Sequence, residues 1–202
     1  HEHIDHVKSL PIVTKKLPNA YAYANESTWE SIERPVEDSK KKYFHTGEDF
    51  NIGDFLIRPF SIPHDAAEPV GFSIYSDDRQ ISIVTDVGYI TDDIFSEITD
   101  ADLLLLEANH EREILLMGKY PYQLKRRIMG ENGHLSNHTA GRLLAEVMTG
   151  KMKYVFLGHL SEENNNPHLA YETVEEILRN NRIEVGTHVK MDMASRFQNG
   201  VK

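Results

Sequence analysis

The order of apolar and polar residues predicts a chain in which strands and helices are mixed throughout. Apolar, β-branched runs predict strands at residues 55–63, 71–76, 80–86, 101–109 and 153–159. Most of these runs are too continuous to have one face in water, so the sheets are expected to be buried on both faces. Helical spacing is found at residues 90–98, 122–130, 136–150 and 167–181. The mixture predicts α/β architecture with sheets covered by helices.

The first fifty residues are less regular. Residues 10–35 predict a helix, a short strand and a second helix, whereas the charged stretch "VEDSKKKYFHTGEDF" (residues 36–50) predicts an exposed loop. No internal repeat, low-complexity tract or second domain boundary interrupts the pattern. We therefore expect residues 1–202 to form a single domain.

Composition limits the kinds of functional site that the chain can form. The chain is 40% hydrophobic, carries a formal charge of -10 and contains no cysteine. The absence of cysteine excludes disulfides, thiolate zinc sites and thiol nucleophiles, and it favours a reducing compartment. The net charge argues against general coating of nucleic acid but leaves a local cationic groove open. The longest aliphatic run, residues 103–106, is too short to cross a bilayer, so no membrane contact is predicted.

Histidines and carboxylates occur where a metal site would need them. The chain begins "HEHIDH", and three predicted strands end on His64, Asp86 and His159. Residues at strand ends are held by the sheet and yet reach solvent. A polar tail and ordinary turn residues are the alternatives for each position taken alone, but their combination favours a metal site. Seven ligands are predicted: His1, His3, Asp5, His6, His64, Asp86 and His159.

This ligand set predicts two divalent ions. Alternate residues of an extended segment point the same way, so His1 and His3 can bind one ion, while Asp5 and His6 can reach the second. One carboxylate would bridge the pair, and a hydroxide held between the ions would attack an ester. Ligands limited to nitrogen and oxygen leave zinc, manganese and iron open.

These residues resemble the metallo-β-lactamase superfamily, whose His-x-His-x-Asp-His motif and later His, Asp and His ligands match "HEHIDH", His64, Asp86 and His159. The stretches "PHDAAEPVGF", "TDVGYI", "LLEANHE" and "GHLSEENN" look like its WalJ (YycJ) branch. The resemblance implies a four-layer αββα sandwich and a cytoplasmic, metal-dependent 5′ to 3′ exodeoxyribonuclease linked to DNA repair. Members carry strands before the histidine motif, so we expect that the N-terminal strands of the sandwich are missing from this chain.

The segment "LKRRIMGENGHLSN" adds positive charge before His134, which would attract phosphate. Asp86, His134 and Asp5 are the predicted catalytic residues: Asp86 bridges the ions and His134 protonates the leaving group, although a helix-capping role for His134 is equally open. Asp65 and Glu107 could orient ligand histidines. The predicted substrate-binding residues are Lys125, Arg126, Arg127, Ser136, Asn137, Asn109, Ser161, Asn164 and Asn165.

The sequence therefore predicts a hydrolase that cleaves DNA phosphodiester bonds. Two rival functions use the same ligands: hydrolysis of a small phosphodiester or other ester, and a metal-bound scaffold without turnover. A scaffold would have a closed coordination shell, whereas a catalytic site keeps one position open.

Overall fold

The structure, a computed structural model, describes residues 1–195 and is built around a seven-stranded sheet. Its strands lie in chain order, and a separate pair forms a small parallel sheet. The strands are β1 (Ala22–Ala24), β2 (Lys41–Tyr43), β3 (Phe50–Ile52), β4 (Phe55–Ser61), β5 (Val70–Ser76), β6 (Arg79–Val84), β7 (Leu103–Glu107), β8 (Tyr154–Gly158) and β9 (Lys190–Met193). The first four strands of the large sheet, β3 to β6, pair antiparallel, and β6 to β9 pair parallel.

Helices supply the connections between the parallel strands, as crossovers of this kind require. The helices are α1 (Ile4–Val7), α2 (Leu10–Lys16), α3 (Glu26–Ser31), α4 (Asp92–Thr99), α5 (Arg112–Met117), α6 (Tyr122–Ile128), α7 (Asn137–Val147) and α8 (Pro167–Asn180). Helices α4, α7 and α8 begin at side-chain caps, in which Thr91, Ser136 and Asn166 accept hydrogen bonds from backbone amides. Their apolar sides contribute Ile94, Leu144, Val174 and Leu178 to the core.

Alternation along the parallel strands separates two faces. Val84, Leu104, Leu106, Val155 and Leu157 are buried and belong to the same core as the helices. The alternate residues on the opposite face are also apolar but only partly covered. They line a shallow depression, and they are Ile81, Ile83, Leu103, Leu105, Phe156 and Met193. The seven-stranded sheet and its helices thus form one sheet-and-helix half of the predicted sandwich. Residues 1–195 contain no second large sheet on the opposite face.

Most of residues 36–50 are exposed, as predicted, but the stretch is not simply a loop. Strand β2 lies within it, Val36 and Phe44 are buried, and the indole N–H of Trp29 donates to the carbonyl of Lys42. The Phe44 ring stacks on Phe50, 5.3 Å between centroids, and meets Phe72 edge-on. Charged residues dominate the composition of this stretch, but two apolar side chains suffice to fix it against the sheet.

The other predicted elements correspond to α2, β1 and α3 within residues 10–35, to strands β4 to β8, and to helices α4, α6, α7 and α8. Strand β9 and helix α5 were not predicted, because each is short and has no strong periodicity of its own. Among the described residues, no helix is both long enough and apolar enough to cross a membrane.

Candidate metal centre

The topology brings three predicted ligands to one edge of the sheet. Strands β6, β7 and β8 are parallel, with Val84 opposite Leu106 and Glu107 opposite Gly158, so the segments that follow them emerge side by side. Asp86 and His159 lie in these segments. Strand β4 runs antiparallel to β5, which is antiparallel to β6, so its end also faces this edge and delivers His64.

The backbone at two of these positions is strained. Asp86 has a φ of 56° and His159 a φ of 54°, values in the left-handed region that residues with a Cβ seldom adopt. Such conformations persist where the surrounding structure over-determines them, and they concentrate at functional sites. The strain turns both side chains back toward the same point.

The N-terminal segment completes the cluster in two parts. His3 Nδ1 lies 3.3 Å from His64 Nε2, and the rings of His1 and His64 are 5.0 Å apart. Helix α1 then redirects the chain, so that Asp5 Oδ2 lies 3.4 Å from His159 Nε2 and 3.5 Å from His6 Nε2. The candidate ligand atoms therefore form one group of His1, His3 and His64 and a second group of Asp5, His6 and His159.

The carboxylate of Asp86 lies between the two groups and is only 2% exposed. Its Oδ1 is 3.7 Å from His64 Nε2 and 3.3 Å from His159 Nε2, and its Oδ2 is 3.1 Å from His6 Nε2. A carboxylate that contacts both groups is in the position of a bridging ligand.

The spacing of these atoms fits divalent ions. Two ligands about 2.1 Å from one ion at the tetrahedral angle lie about 3.4 Å apart, close to the separations above. Within residues 1–195, His1 Nε2 is buried without a hydrogen-bond partner, as a nitrogen aimed at a cation would be. His64 Nδ1 lies 3.1 Å from the carbonyl of Gly133. Donation to that carbonyl leaves Nε2 unprotonated and free to coordinate.

Glu107, at the end of β7, joins two histidines from inside the protein. Its side chain is fully buried, and its Oε1 lies 2.8 Å from His134 Nδ1 and 2.7 Å from His159 Nδ1. Its Oε2 accepts the backbone N–H groups of Val87 and Leu135. The sequence suggested an orienting role for Glu107 only weakly. A carboxylate that directly follows an apolar run was the available signal.

A tight loop holds His134 beside the centre. The His134 N–H donates to the carbonyl of Ile128, and Gly88 packs against the preceding turn so closely that a Cβ would lie 2.0 Å from the carbonyl oxygen of Glu131. Asp65 forms a bidentate ion pair with Arg127 and lies 3.6 Å from His64 Nε2. The loop, α6 and the ligand His64 are therefore connected.

The charges of the cluster perturb its ionisable groups. Burial alone would raise the pKa of Asp86, but contact with His6 and the charge of His159 hold it well below its usual range. The hydrogen bond with His159 is the main cause that lowers the pKa of Asp5 to about 2. Burial opposes the charging of His159, yet its bonds to Asp5 and Glu107 raise its pKa to about 10. The carboxylates are therefore ionised, and a cation bound by His159 would displace the additional proton from its ring.

Several predicted substrate contacts are located elsewhere than expected. The side chains of Asn137, Asn164 and Asn165, which were predicted to bind substrate, are buried. Asn137 and Asn165 bond to each other, and Asn165 also donates to the carbonyls of Ala108 and Asn109. Their hydrogen-bonding capacity is used to join the segments after β7 and β8, which a sequence pattern does not reveal.

The remaining predicted contacts divide into engaged and available side chains. Asn109 is buried and donates to the carbonyl of His159. Lys125 donates to the carbonyls of Leu116 and Gly118. Ser136 caps α7, and the Ser161 hydroxyl accepts from the N–H of Asn164. Arg126 is exposed and makes neither an ion pair nor a side-chain hydrogen bond within residues 1–195.

Histidines outside the ligand set behave in two ways. The side chains of four histidines are exposed: His45, His138, His168 and His188. His110 is only 2% exposed, and burial lowers its pKa to about 4. It is therefore a neutral interior residue beside the loop that carries His134.

Comparison with known proteins agrees with this geometry. Residues 1–159 match the family model of the "Beta-lactamase superfamily domain". The exodeoxyribonuclease YycJ of Bacillus anthracis is 37% identical over 191 residues, which cover 92% of this chain and 71% of that protein.

Two solved structures share the fold at lower sequence identity. The metallo-β-lactamase fold protein YhfI of Bacillus subtilis has a TM-score of 0.68 at 17% identity, with 96% of this chain and 72% of that chain covered. Zn²⁺-bound PqqB of Methylobacterium extorquens has a TM-score of 0.64 at 18% identity, with 96% and 66% covered. The ligand cluster, the sheet with its helices and these matches establish that the chain belongs to the metallo-β-lactamase superfamily, a fold that implies divalent metal ions.

Proposed function

We propose that this protein is a dinuclear metal-dependent hydrolase that cleaves DNA phosphodiester bonds as an exodeoxyribonuclease. The observation that carries the proposal is the pair of three-residue ligand groups that meet at the buried carboxylate of Asp86. The activity named for the YycJ relative supports DNA as the substrate. The 5′ to 3′ polarity and the cytoplasmic location remain predictions from the resemblance, and residues 1–202 are proposed to act as one domain.

Each residue has a distinct part in this proposal. His1, His3 and His64 would hold one ion, Asp5, His6 and His159 the other, and Asp86 would contact both. When bound, such a pair of ions lowers the pKa of a water molecule and neutralises negative charge on the phosphoryl oxygens. Nitrogen-rich donors favour zinc, while the carboxylates also suit manganese or iron.

His134 is proposed to deliver the proton to the leaving oxygen. Its Nδ1 is engaged by Glu107, which fixes the orientation of the ring and leaves Nε2 for the substrate. The side chain is 17% exposed, so it can meet a phosphate at the mouth of the centre. Glu107 accepts from Nδ1 and stabilises the protonated imidazole, as an orienting carboxylate does in other acid–base pairs.

The central test measures the release of nucleotides from DNA labelled at the 5′ or the 3′ end. We expect activity in wild-type protein loaded with zinc or manganese, and loss of activity after chelation or in Asp86→Asn, a substitution that preserves volume. His168→Ala is the matched control, because His168 is exposed on α8 and belongs to none of the candidate ligand groups. Undiminished cleavage by folded Asp86→Asn protein would refute the proposal.

A second arm separates DNA cleavage from hydrolysis of small esters. Turnover of bis-p-nitrophenyl phosphate without any release of nucleotides would indicate a small-molecule phosphodiesterase. Absence of turnover with both substrates, in protein that contains its metal, would indicate the scaffold function.

A further inference from the structure

We propose that the exposed face of α6, formed by Tyr122, Arg126 and Met129, is a platform on which unpaired DNA bases stack next to the metal centre. This inference rests on the proposed function and specifies its substrate as a single-stranded segment. The platform differs from the cationic cluster predicted from the sequence, because two of the three consecutive cations are engaged elsewhere.

The three side chains occupy one side of the helix. Tyr122 and Arg126 are separated by four residues and Arg126 and Met129 by three, so they are neighbours along one face. Tyr122 is 73% exposed and Met129 37%, and Arg126 is also exposed. Within residues 1–195 none of the three side chains makes a hydrogen bond, ion pair or ring contact. An aromatic ring, a guanidinium and a thioether in sequence can each contact the flat face of a base.

Local charge favours a polyanionic occupant. Residues 114–130 contain Lys119, Lys125, Arg126 and Arg127 and no carboxylate, in a chain of formal charge -10. Lys125 is bonded to two carbonyls, and Arg127 is paired with Asp65. Lys119 and Arg126 have no such partners within residues 1–195, so their charge is available to phosphates.

The platform is continuous with the metal centre. Arg127, next to Arg126, contacts Asp65, and Asp65 lies 3.6 Å from the ligand nitrogen His64 Nε2. The carbonyl of Ile128, next to Met129, accepts the N–H of His134. The face from Met129 to Tyr122 leads away from these residues for about 10 Å, since a helix rises 1.5 Å per residue. That length matches about three stacked nucleotides at 3.4 Å each.

The experiment measures binding by fluorescence anisotropy with metal-loaded protein and a phosphorothioate oligothymidylate, which resists hydrolysis. Tyr122→Ala is expected to weaken binding about tenfold, whereas Tyr122→Phe should bind like wild type because the ring remains. An abasic oligomer with the same number of phosphates should show no effect of Tyr122→Ala. Arg126→Ala should reduce the slope of log affinity against log salt by about 1, and Arg126→Lys should restore it.

Tyr154→Ala is the matched control, because Tyr154 is 43% exposed at the start of β8, the end of the strand opposite His159. Equal affinity of wild type and Tyr122→Ala for the oligothymidylate would overturn the inference. An equal loss of affinity of Tyr122→Ala for the abasic oligomer would also overturn it. So would a lower molecular mass of Tyr122→Ala than of wild type in solution, because this face would then be a contact between copies of the chain. Because these measurements need no turnover, they can fail or succeed independently of the cleavage assays that test the proposed function.

Discussion

Glu107 connects more groups of the candidate metal centre than a ligand pattern in the sequence indicates. It is fully buried, holds the Nδ1 atoms of His134 and His159, and accepts two backbone N–H groups. Burial would raise its pKa, yet the bonds with the two histidines keep the pKa below its usual range, so it is ionised. A single carboxylate therefore orients a proposed metal ligand and the proposed proton donor together.

Glu107→Gln should lower kcat or metal affinity by about 10- to 100-fold, because an amide offers one acceptor where the carboxylate offers two. Metal content, measured by mass spectrometry, and kcat on labelled DNA check this expectation. Glu97→Gln on α4, whose side chain is 22% exposed, controls for the loss of a partly buried charge elsewhere. Full activity with full metal content in Glu107→Gln would contradict the orienting role.

Gly88 is required where two loops of the centre meet. A Cβ at this position would lie 2.0 Å from the carbonyl oxygen of Glu131 and 2.7 Å from the backbone nitrogen of Gly133. Gly88→Ala should therefore destabilise the fold by about 1–3 kcal/mol and displace the loop that carries His134. Thermal unfolding and DNA turnover measure the two effects. Gly150→Ala, whose Cβ would meet nothing within 4 Å, should leave both unchanged, and equal behaviour of the two variants would exclude the close approach.

At the scale of elements, strand β2 shows how a charged segment packs against the rest of the fold. It pairs with β1 in parallel, and the Phe44 that follows it packs between Phe50 and Phe72. This packing covers part of the sheet face that the helices leave open. Lys41 of β2 pairs with Asp38, and Lys42 is exposed.

Phe44→Ala should lower the free energy of unfolding by about 3–5 kcal/mol, the usual cost of removing a buried aromatic ring. Urea denaturation followed by tryptophan fluorescence provides the measurement, since Trp29 lies in the adjoining helix α3. Tyr43→Ala, one residue earlier and 60% exposed, should cost far less. Similar small effects of both substitutions would restore the exposed-loop interpretation of residues 36–50.

At the scale of the whole molecule, the metal centre joins distant parts of the chain. Its seven proposed ligands come from the N-terminal segment and from the segments after β4, β6 and β8. Ions bound there would stabilise the folded state over the unfolded one, because the unfolded chain does not bring these residues together.

Removal of the metal should therefore lower the Tm. At free metal 100-fold above Kd the stabilisation is about 2.7 kcal/mol, which corresponds to a shift of several degrees for a domain of this size. Differential scanning calorimetry with and without a chelator measures it. His64→Ala and Asp86→Asn should show a much smaller shift, whereas His188→Ala should respond like wild type. A Tm insensitive to chelation in metal-loaded wild-type protein would argue against these seven ligands.

Local pattern was sufficient to identify strands β4 to β8 of the large sheet and the chemistry of the candidate ligands. An apolar run followed at once by His64, Asp86 or His159 marks a strand end with a polar side chain, and that relation needs only neighbouring residues. The histidine-rich opening likewise showed which residue types could bind metal. The same reasoning suggested that Glu107 could orient a ligand histidine but not which one, and it did not reveal the ring cluster around Phe44.

Tertiary structure decided everything that depends on residues distant in sequence. Asn137 and Asn165 have the composition of a polar rim, but they bond to each other across 28 positions and are buried. Lys125, Arg126 and Arg127 are equivalent in the sequence pattern. In the structure Lys125 donates to carbonyls and Arg127 pairs with Asp65, whereas Arg126 has no such partner within residues 1–195. The sequence by itself determined which side chains can coordinate and where strands end, because both are local properties. Only the fold decided which groups meet, because that depends on long-range packing and on the strained turns at Asp86 and His159.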